Sequence, residues 1–505
     1  MRFNDITKIF MALWLALLLP GLAHAFGATQ CAASRFGSDL NCTANDVNIT
    51  GITVVGGPAA CTGGQNITLD LDLTVQFNSP DRWDIGIFIS NDGKSPQDLP
   101  ANGGAASCSV AILPTPSILA TSPFLDLDPG PWSGTRDTCG DGNASIRGGT
   151  GNGVLRMTGV SVPCQALASS GKLYIPFVVS WDNQSSPSGG TCTSINDPVP
   201  NTKSKCNAPL VAQGSVDVVV LPSITKTDGI TSITPGDATS YTITLVNSTG
   251  IVLSTTNSNA AVFKDPAVTN LNVSSVTCLA TGSATCPTGT DLTVAKMQSA
   301  SGITIATMPT NSTVVFTVNA QLTGNPTGTL TNIATVSSNG QTNSASDTDT
   351  IVYPSLVNLK TVSATRDPVN GTSNPKNIPG AEVLYNLRVT NTGAGTVDTN
   401  SAFIIDPIPA NTELFVGDLG GAGSGPIVFA PGTSTLTWAF TSLASLTDDV
   451  NFSNNNCTSF SYVPVPTLNY DPAVNCIRLN PKGKLAGANG GSNPYFELRF
   501  QVRIK

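Results

Sequence analysis

Histidine is nearly absent from this chain of 505 residues, which holds only His24, close to the N-terminus. Glutamate is scarce too: of 32 acidic residues, only Glu382, Glu413 and Glu497 are not aspartate. Charged residues make up 11% of the sequence, and no two cysteines stand in a CxxC spacing. Each scarcity excludes something. Glutamate favours helices and aspartate favours turns and caps, so the bias speaks against a helical protein. A formal charge of −8 offers no footprint for nucleic acid, whose phosphates demand clustered Lys and Arg. Without CxxC pairs, a thiolate zinc site lacks its usual ligand spacing.

Long apolar runs are also missing, with one exception. IFMALWLALLL follows Arg2 and Lys8 and precedes Ala23-His24-Ala25, the small residues that a signal peptidase accepts. The run is too short to span a bilayer, and no later segment is long enough. Residues 1–25 therefore read as a cleaved secretory signal. Its removal takes Arg2, Lys8 and Asp5 and moves the formal charge from −8 to −9. It also takes His24, so the mature chain contains no histidine. Ser-His-Asp and Cys-His catalysis, zincin sites and His-ligated metals are thereby excluded. Carboxylate pairs or Ser-Lys chemistry would remain.

What is abundant points to β-structure: Gly 48, Pro 35, and many Thr, Ser, Asn and Val. ITLDLDLTVQF alternates from Ile67 to Phe77, with Ile67, Leu69, Leu71, Leu73, Val75 and Phe77 on one side. WDIGIFIS (83–90), KLYIPFVVSW (172–181), STVVFTVNAQL and TNIATVSS read as further strands. No window outside the signal forms an amphipathic helix.

The 12 cysteines partition evenly. Eight precede residue 210, Cys278 and Cys286 form a close pair, and so do Cys457 and Cys476. In an exported chain an even count in each part implies disulfides within each part. Cys278 is expected to pair with Cys286, and Cys457 with Cys476, because neither pair has another partner in its own domain. The connectivity of the first eight stays open. VDVVVLPSITKT (217–227) and DTDTIVYPSLVNLKT (347–361) share one design: an apolar strand, a proline, then a strand ending in Lys-Thr. Such linkers string β-sandwiches in tandem with little slack. The expected domains are 26–221, disulfide-rich; 222–353; and 354–505.

The last two are copies of one another. PGDATSYTITLVNSTG (235–250) returns as PGAEVLYNLRVTNTG (379–393), and Asp265-Pro266 returns as Asp406-Pro407. Pro-Gly sets a turn, Tyr241 and Tyr385 anchor the core, and Asn247 and Asn391 close the strand; these read as scaffold residues. LTNIATVSS, the Lys-Thr strand and the Tyr…Asn…Gly strand resemble the conserved repeat domain of unknown function eleven of bacterial surface proteins, over about 222 to 353. The stretches IDPIPANTELFVGDLGG, RLNPKGKLAGANGG and FELRFQVRIK are similar to the C-terminal module of uncharacterised secreted proteins of Gram-negative bacteria. CTANDV, RWDIGIFISNDG, DTCGDGN and SWDN are similar to their N-terminal module. The resemblance implies tandem immunoglobulin-like β-sandwiches, all-β, in a secreted or cell-surface setting, and attaches no catalytic residue.

Candidate sites are few. In DTCGDGN, Asp137, Asp141 and Asn143 with Gly142 resemble the start of a calcium loop, but Gly148 stands where an EF-hand would place Glu. A calcium ion and a turn stapled by Cys139 are the two readings. Asp70 with Asp72, and Asp126 with Asp128, form carboxylate pairs that invite a cation or simple solvation. Trp83, Trp132 and Trp181 could form a sugar platform or fill the core. No apolar cleft accompanies any Asp pair, which argues against glycosidase chemistry. The expected function is non-enzymatic, structural or adhesive, with an unknown extracellular protein or glycan as ligand. The alternative is a glycan-binding module, calcium-dependent or not. In the final copy, YFELRFQVRIK is the last strand, and 446–470 supplies further strands, so a self-completed sandwich and a monomer are expected.

Overall fold

Alternation of apolar and polar residues becomes strand wherever it is sustained, and the core is built from the apolar half of each alternation. The computed structural model describes residues 30–113, 124–125, 140–142, 152–168, 170–184, 203–208 and 215–505. The described chain is all-β; its α-helices are single short turns, Ala32–Phe36 and Val294–Gln298. In Asn66–Phe77, Leu69, Leu71, Leu73, Val75 and Phe77 are buried, while Asp70, Asp72, Thr74 and Gln76 are half-buried on the other face.

The sheets fall into three successive groups along the chain. In the first, Asn66–Phe77 lies between Val47–Gly56 and Asn152–Pro163. A second sheet orders Lys205–Asn207, Phe177–Asp182, Trp83–Ser90 and Cys108–Ile112. A third joins Ala60–Thr62, Ser215–Leu221 and Lys172–Tyr174. The segment 172–181 is thus not one strand. Pro176, with no N–H to give a ladder, separates two halves that pair in different sheets. Cys31–Cys108, Cys42–Cys206 and Cys61–Cys164 staple this part.

The middle group is a two-sheet sandwich. One sheet runs Ser223–Thr227, Ala238–Val246, Thr313–Leu322, Leu271–Thr281. The other runs Ser232–Ile233, Gln341–Ile351, Thr329–Ser338, Val262–Lys264, Ile303–Thr304. Tyr241, Ile243 and Leu245 from the first meet Phe263, Ala334 and Val336 from the second in one core. Cys278 and Cys286 are bonded, with Cα atoms 5.8 Å apart.

In the last group Tyr495–Ile504 is a central strand. It pairs with Glu382–Asn391 on one side and with Thr412–Phe415 and Val428–Ala430 on the other. Residues Val450–Ser453 and Tyr470–Asp471 supply strands to the two sheets of this group. Cys457 and Cys476 are bonded. The opening strand, Leu356–Arg366, is an edge whose Leu356, Val357, Leu359 and Val362 are exposed. Its counterpart in the middle sandwich packs against Gln341–Ile351; among the described residues no equivalent strand covers Leu356–Arg366.

Successive groups are tightly joined. Ser215–Leu221 runs through Pro222 directly into Ser223–Thr227, and one hydrophobic cluster extends from Val47 to Val336. The Asn343 amide donates to Thr62 Oγ1 (2.9 Å) and to the Pro222 carbonyl (3.1 Å). Ser248 Oγ donates to the Gly63 carbonyl at 2.7 Å, and Ala166 N–H to the Thr249 carbonyl at 2.9 Å. Gly63 is required there, since a Cβ would lie 2.4 Å from the Ser248 carbonyl oxygen. At the next joint, Gly395 N–H donates to the Tyr353 carbonyl at 3.0 Å, and Lys484 forms an ion pair with Asp237.

Candidate functional site

The residues repeated in both copies converge on the same geometry. Lys226 projects from Ser223–Thr227, and Asp265 directly follows Val262–Lys264 in the opposite sheet. Lys226 Nζ lies 2.7 Å from both carboxylate oxygens of Asp265. The lysine side chain is wholly buried and that of Asp265 is 2% exposed. Nζ also sits 4.6 Å from the centre of the Tyr241 ring, a cation–π distance. Continuing the ladder Lys264↔Thr335 sets Asp265 against Ala334, with Asn332 two residues along on the same inward face. Asn332 is 1% exposed; its amide hydrogen-bonds Asp265, and its Oδ1 has no partner.

The electrostatics are unusual for such a pair. Burial lowers the lysine pKa from its ordinary value and raises that of Asp265, against the attraction of each for the other. Both directions favour the form in which the proton sits on the carboxyl and the amine is neutral.

Beside the pair stand three more carboxylates, Asp228, Asp347 and Asp349, whose oxygens lie within 4.8 Å of one another. Asp228 N–H donates to Asp347 Oδ2 (2.7 Å), and Thr239 Oγ1 donates to Asp228 Oδ2 (2.5 Å). Asp349 is fully buried, and among the described residues no N–H or hydroxyl reaches either oxygen; its hydrogen-bonding neighbour is the Asp228 carboxyl. Burial, then the charges of Asp228 and Asp347, push its pKa up to about 7. Burial likewise raises Asp347, and the Tyr241 hydroxyl is raised by burial and by these carboxylates. Three carboxylates can share a proton or coordinate a cation; without a cation, the raised acid holds its proton up to about neutral pH.

The third group carries a weaker version. Lys360 Nζ lies 2.7 and 2.8 Å from the Asp406 oxygens and 4.6 Å from the Tyr385 ring. The side chain of Lys360, however, is 37% exposed. Asn475, two residues before the Ile477 that faces Asp406, exchanges hydrogen bonds with Asn456 instead.

The residues singled out in sequence fall elsewhere. Asp137 and Asn143 lie outside the described residues, as do Cys139, Asp126, Asp128 and Trp132. Asp141 is buried on Asp141–Gly142, where its Oδ1 accepts the Asp84 N–H at 2.9 Å. Asp72 forms a two-pronged ion pair with Arg156 at 2.7 Å, and Asp70 accepts the Gly159 N–H. Those carboxylates are occupied by the chain itself. Trp181 is fully buried, as a core residue would be, and is not available to a sugar. Asn247 and Asn391 pin the loops after their strands: Asn247 Nδ2 donates to the Ile251 and Met308 carbonyls, Asn391 Nδ2 to those of Gly395 and Ala486. Lys226, Asp265 and Asn332 escape a sequence reading as a site, although the repetition of Lys-Thr and Asp-Pro marks two of them.

No family model and no curated protein matches the chain. Among solved structures, the chain is similar to the C-terminal domain of the Streptococcus agalactiae AgI/II polypeptide BspA at 13% identity, covering 56% of this chain and 92% of that one, with a TM-score of 0.26. The C-terminal domain of the Streptococcus pyogenes antigen I/II-family protein AspA aligns at 14% identity over 56% and 91%, TM-score 0.26. The full-length major pilin SpaD of Corynebacterium diphtheriae aligns at 14% over 61% and 66%, TM-score 0.18. Superpositions this distant assign neither ligand nor activity.

Proposed function

We propose that the chain is an exported, non-enzymatic structural protein of a Gram-negative bacterium that spaces and presents a binding face outside the cell. Behind the cleaved signal, residues 1–25, stand three domains, 26–221, 222–353 and 354–505, the last two being conserved-repeat sandwiches. The partner is an extracellular protein or glycan. The joint at Pro222 carries this reading. There one strand passes through a proline into the next sandwich, loops of both sides hydrogen-bond across it, and the apolar core is continuous. Relative motion between domains is the default unless their interface is large and apolar, and a spacer depends on suppressing it. Disulfides in every part fit an oxidising setting outside the cytoplasm.

Spin labels carried on unnatural residues at Val154 and Ile333, exposed positions on either side of the joint, test it by electron–electron distance measurement. One narrow distance distribution is expected. A broad distribution from freely jointed domains would defeat the spacer reading.

A further inference from the structure

The geometry points to an intramolecular amide bond between Lys226 Nζ and Asn332 Cγ, formed inside the middle sandwich with Asp265 as the proton carrier. Three observations carry it. A lysine amine and a carboxamide both touch one carboxylate, Asp265, in a site from which water is excluded. Asn332 Oδ1 is buried without a partner, a costly arrangement that a purely structural asparagine would avoid. The reacting side chains come from strands of different sheets, fixed by the continuous ladders of Ser223–Thr227 and Thr329–Ser338, so their encounter needs no further ordering.

The step balances without a co-reactant. The neutral amine nitrogen attacks Asn332 Cγ, and the protonated Asp265 carboxyl gives its proton to Nδ2 as the Cγ–Nδ2 bond breaks. The carboxylate left behind takes the proton that the amine loses, so Asp265 ends protonated as it began. Ammonia leaves, and the Nζ–Cγ amide remains. A carboxyl poised between neutral and ionised forms can serve in both directions. The Tyr241 ring closes the site over Nζ.

The bond would tie the opening strand of one sheet to the strand that hairpins with Gln341–Ile351, the exit strand of the other. Tension entering at Pro222 would then bypass the chain between Lys226 and Asn332. This goes beyond the spacer reading and does not depend on it.

Intact-mass measurement of the reduced, full mature protein tests it directly. The expected mass is lower than the sequence mass by one ammonia, and a digest yields one branched peptide joining the Lys226 and Asn332 segments. Lys360, whose partner Asp406 has no buried asparagine beside it, is expected to be recovered unmodified. Asp265→Ala restores the full sequence mass, and Asn332→Asp changes the loss from ammonia to water. An unreduced mass with separate, unmodified Lys226 and Asn332 peptides overturns the proposal, and needs only the unaltered chain. A water loss with Lys226 joined to Asp265 also overturns it.

Discussion

Asp349→Asn isolates the cost of burying a carboxyl among carboxylates. In the unfolded chain an aspartate titrates near its ordinary value of 3.8, whereas in the folded sandwich Asp349 titrates at about 7. A raised acid means that the folded state holds a proton the unfolded state has already released. The stability it contributes is full below pH 4 and is lost as pH rises through about 7. At about 1.4 kcal/mol per pH unit, the span between the two values gives a ceiling of about 4 kcal/mol. Sharing of the proton with Asp347, also raised, reduces the part belonging to Asp349 alone. The groups facing it are Asp228, Asp347 and the Tyr241 side chain, while the buried Lys226 nitrogen is turned to Asp265 instead. Asparagine copies the neutral acid in shape and cannot ionise. Urea unfolding of the mature chain, read by hydrogen exchange in peptides covering Gln341–Ile351, should show the native protein losing stability from pH 5 to pH 8. The variant should stay nearly flat, matching the native protein at pH 4.5 and exceeding it at pH 8 by about 1–4 kcal/mol. A native profile that is flat or rises with pH, or a variant weaker at pH 8, would refute the reasoning.

The other expectations concern bridges, ions, the first joint and assembly. Peptide mapping should recover Cys278 with Cys286 and Cys457 with Cys476; a bridge joining two different domains would contradict it. Reduction should destabilise the first domain most, because loop-closure entropy gives about 5 kcal/mol for Cys42–Cys206, separated by 164 residues, against about 2.5 kcal/mol for Cys278–Cys286, separated by 8. Melting at pH 6 should be unchanged between calcium and a chelator if the Asp228, Asp347 and Asp349 trio holds a proton; a calcium-dependent rise would instead place an ion there or in the 137–143 loop. Gly63→Ala drives a methyl against the Ser248 backbone and should cost about 1–3 kcal/mol while loosening the Asn343 contacts, seen as faster exchange on both sides of Pro222. Sedimentation should give a monomer; association abolished by Leu359→Asp would show that the exposed edge strand pairs with another chain.

Much of the fold is legible in the residues because period-two patterning is a local property. Asn66–Phe77 buries the side its alternation assigns, and Phe496, Leu498, Phe500 and Val502 do the same in the last strand. The repeat is legible too, since Asn247 and Asn391 need the same loop after the same strand. What local patterning cannot carry is which strands become neighbours. Pro176 sends the two halves of 172–181 into different sheets, a decision made by partners far away in sequence. Asp265 lies 39 residues from Lys226 and meets it only because two sheets face each other. Asp141, attractive within a calcium-like motif, is bound to the Asp84 backbone 57 residues away. The candidate site was therefore present in sequence as repeated letters and absent as chemistry.

The central claim is an exported structural chain, and recovering the native protein from cells of its source tests that most directly. Fractionation, N-terminal sequencing and thiol titration of the same material should find it outside the cytoplasm, beginning at Phe26, with its cysteines oxidised. A cytoplasmic chain that retains residues 1–25 and carries free thiols would contradict the account.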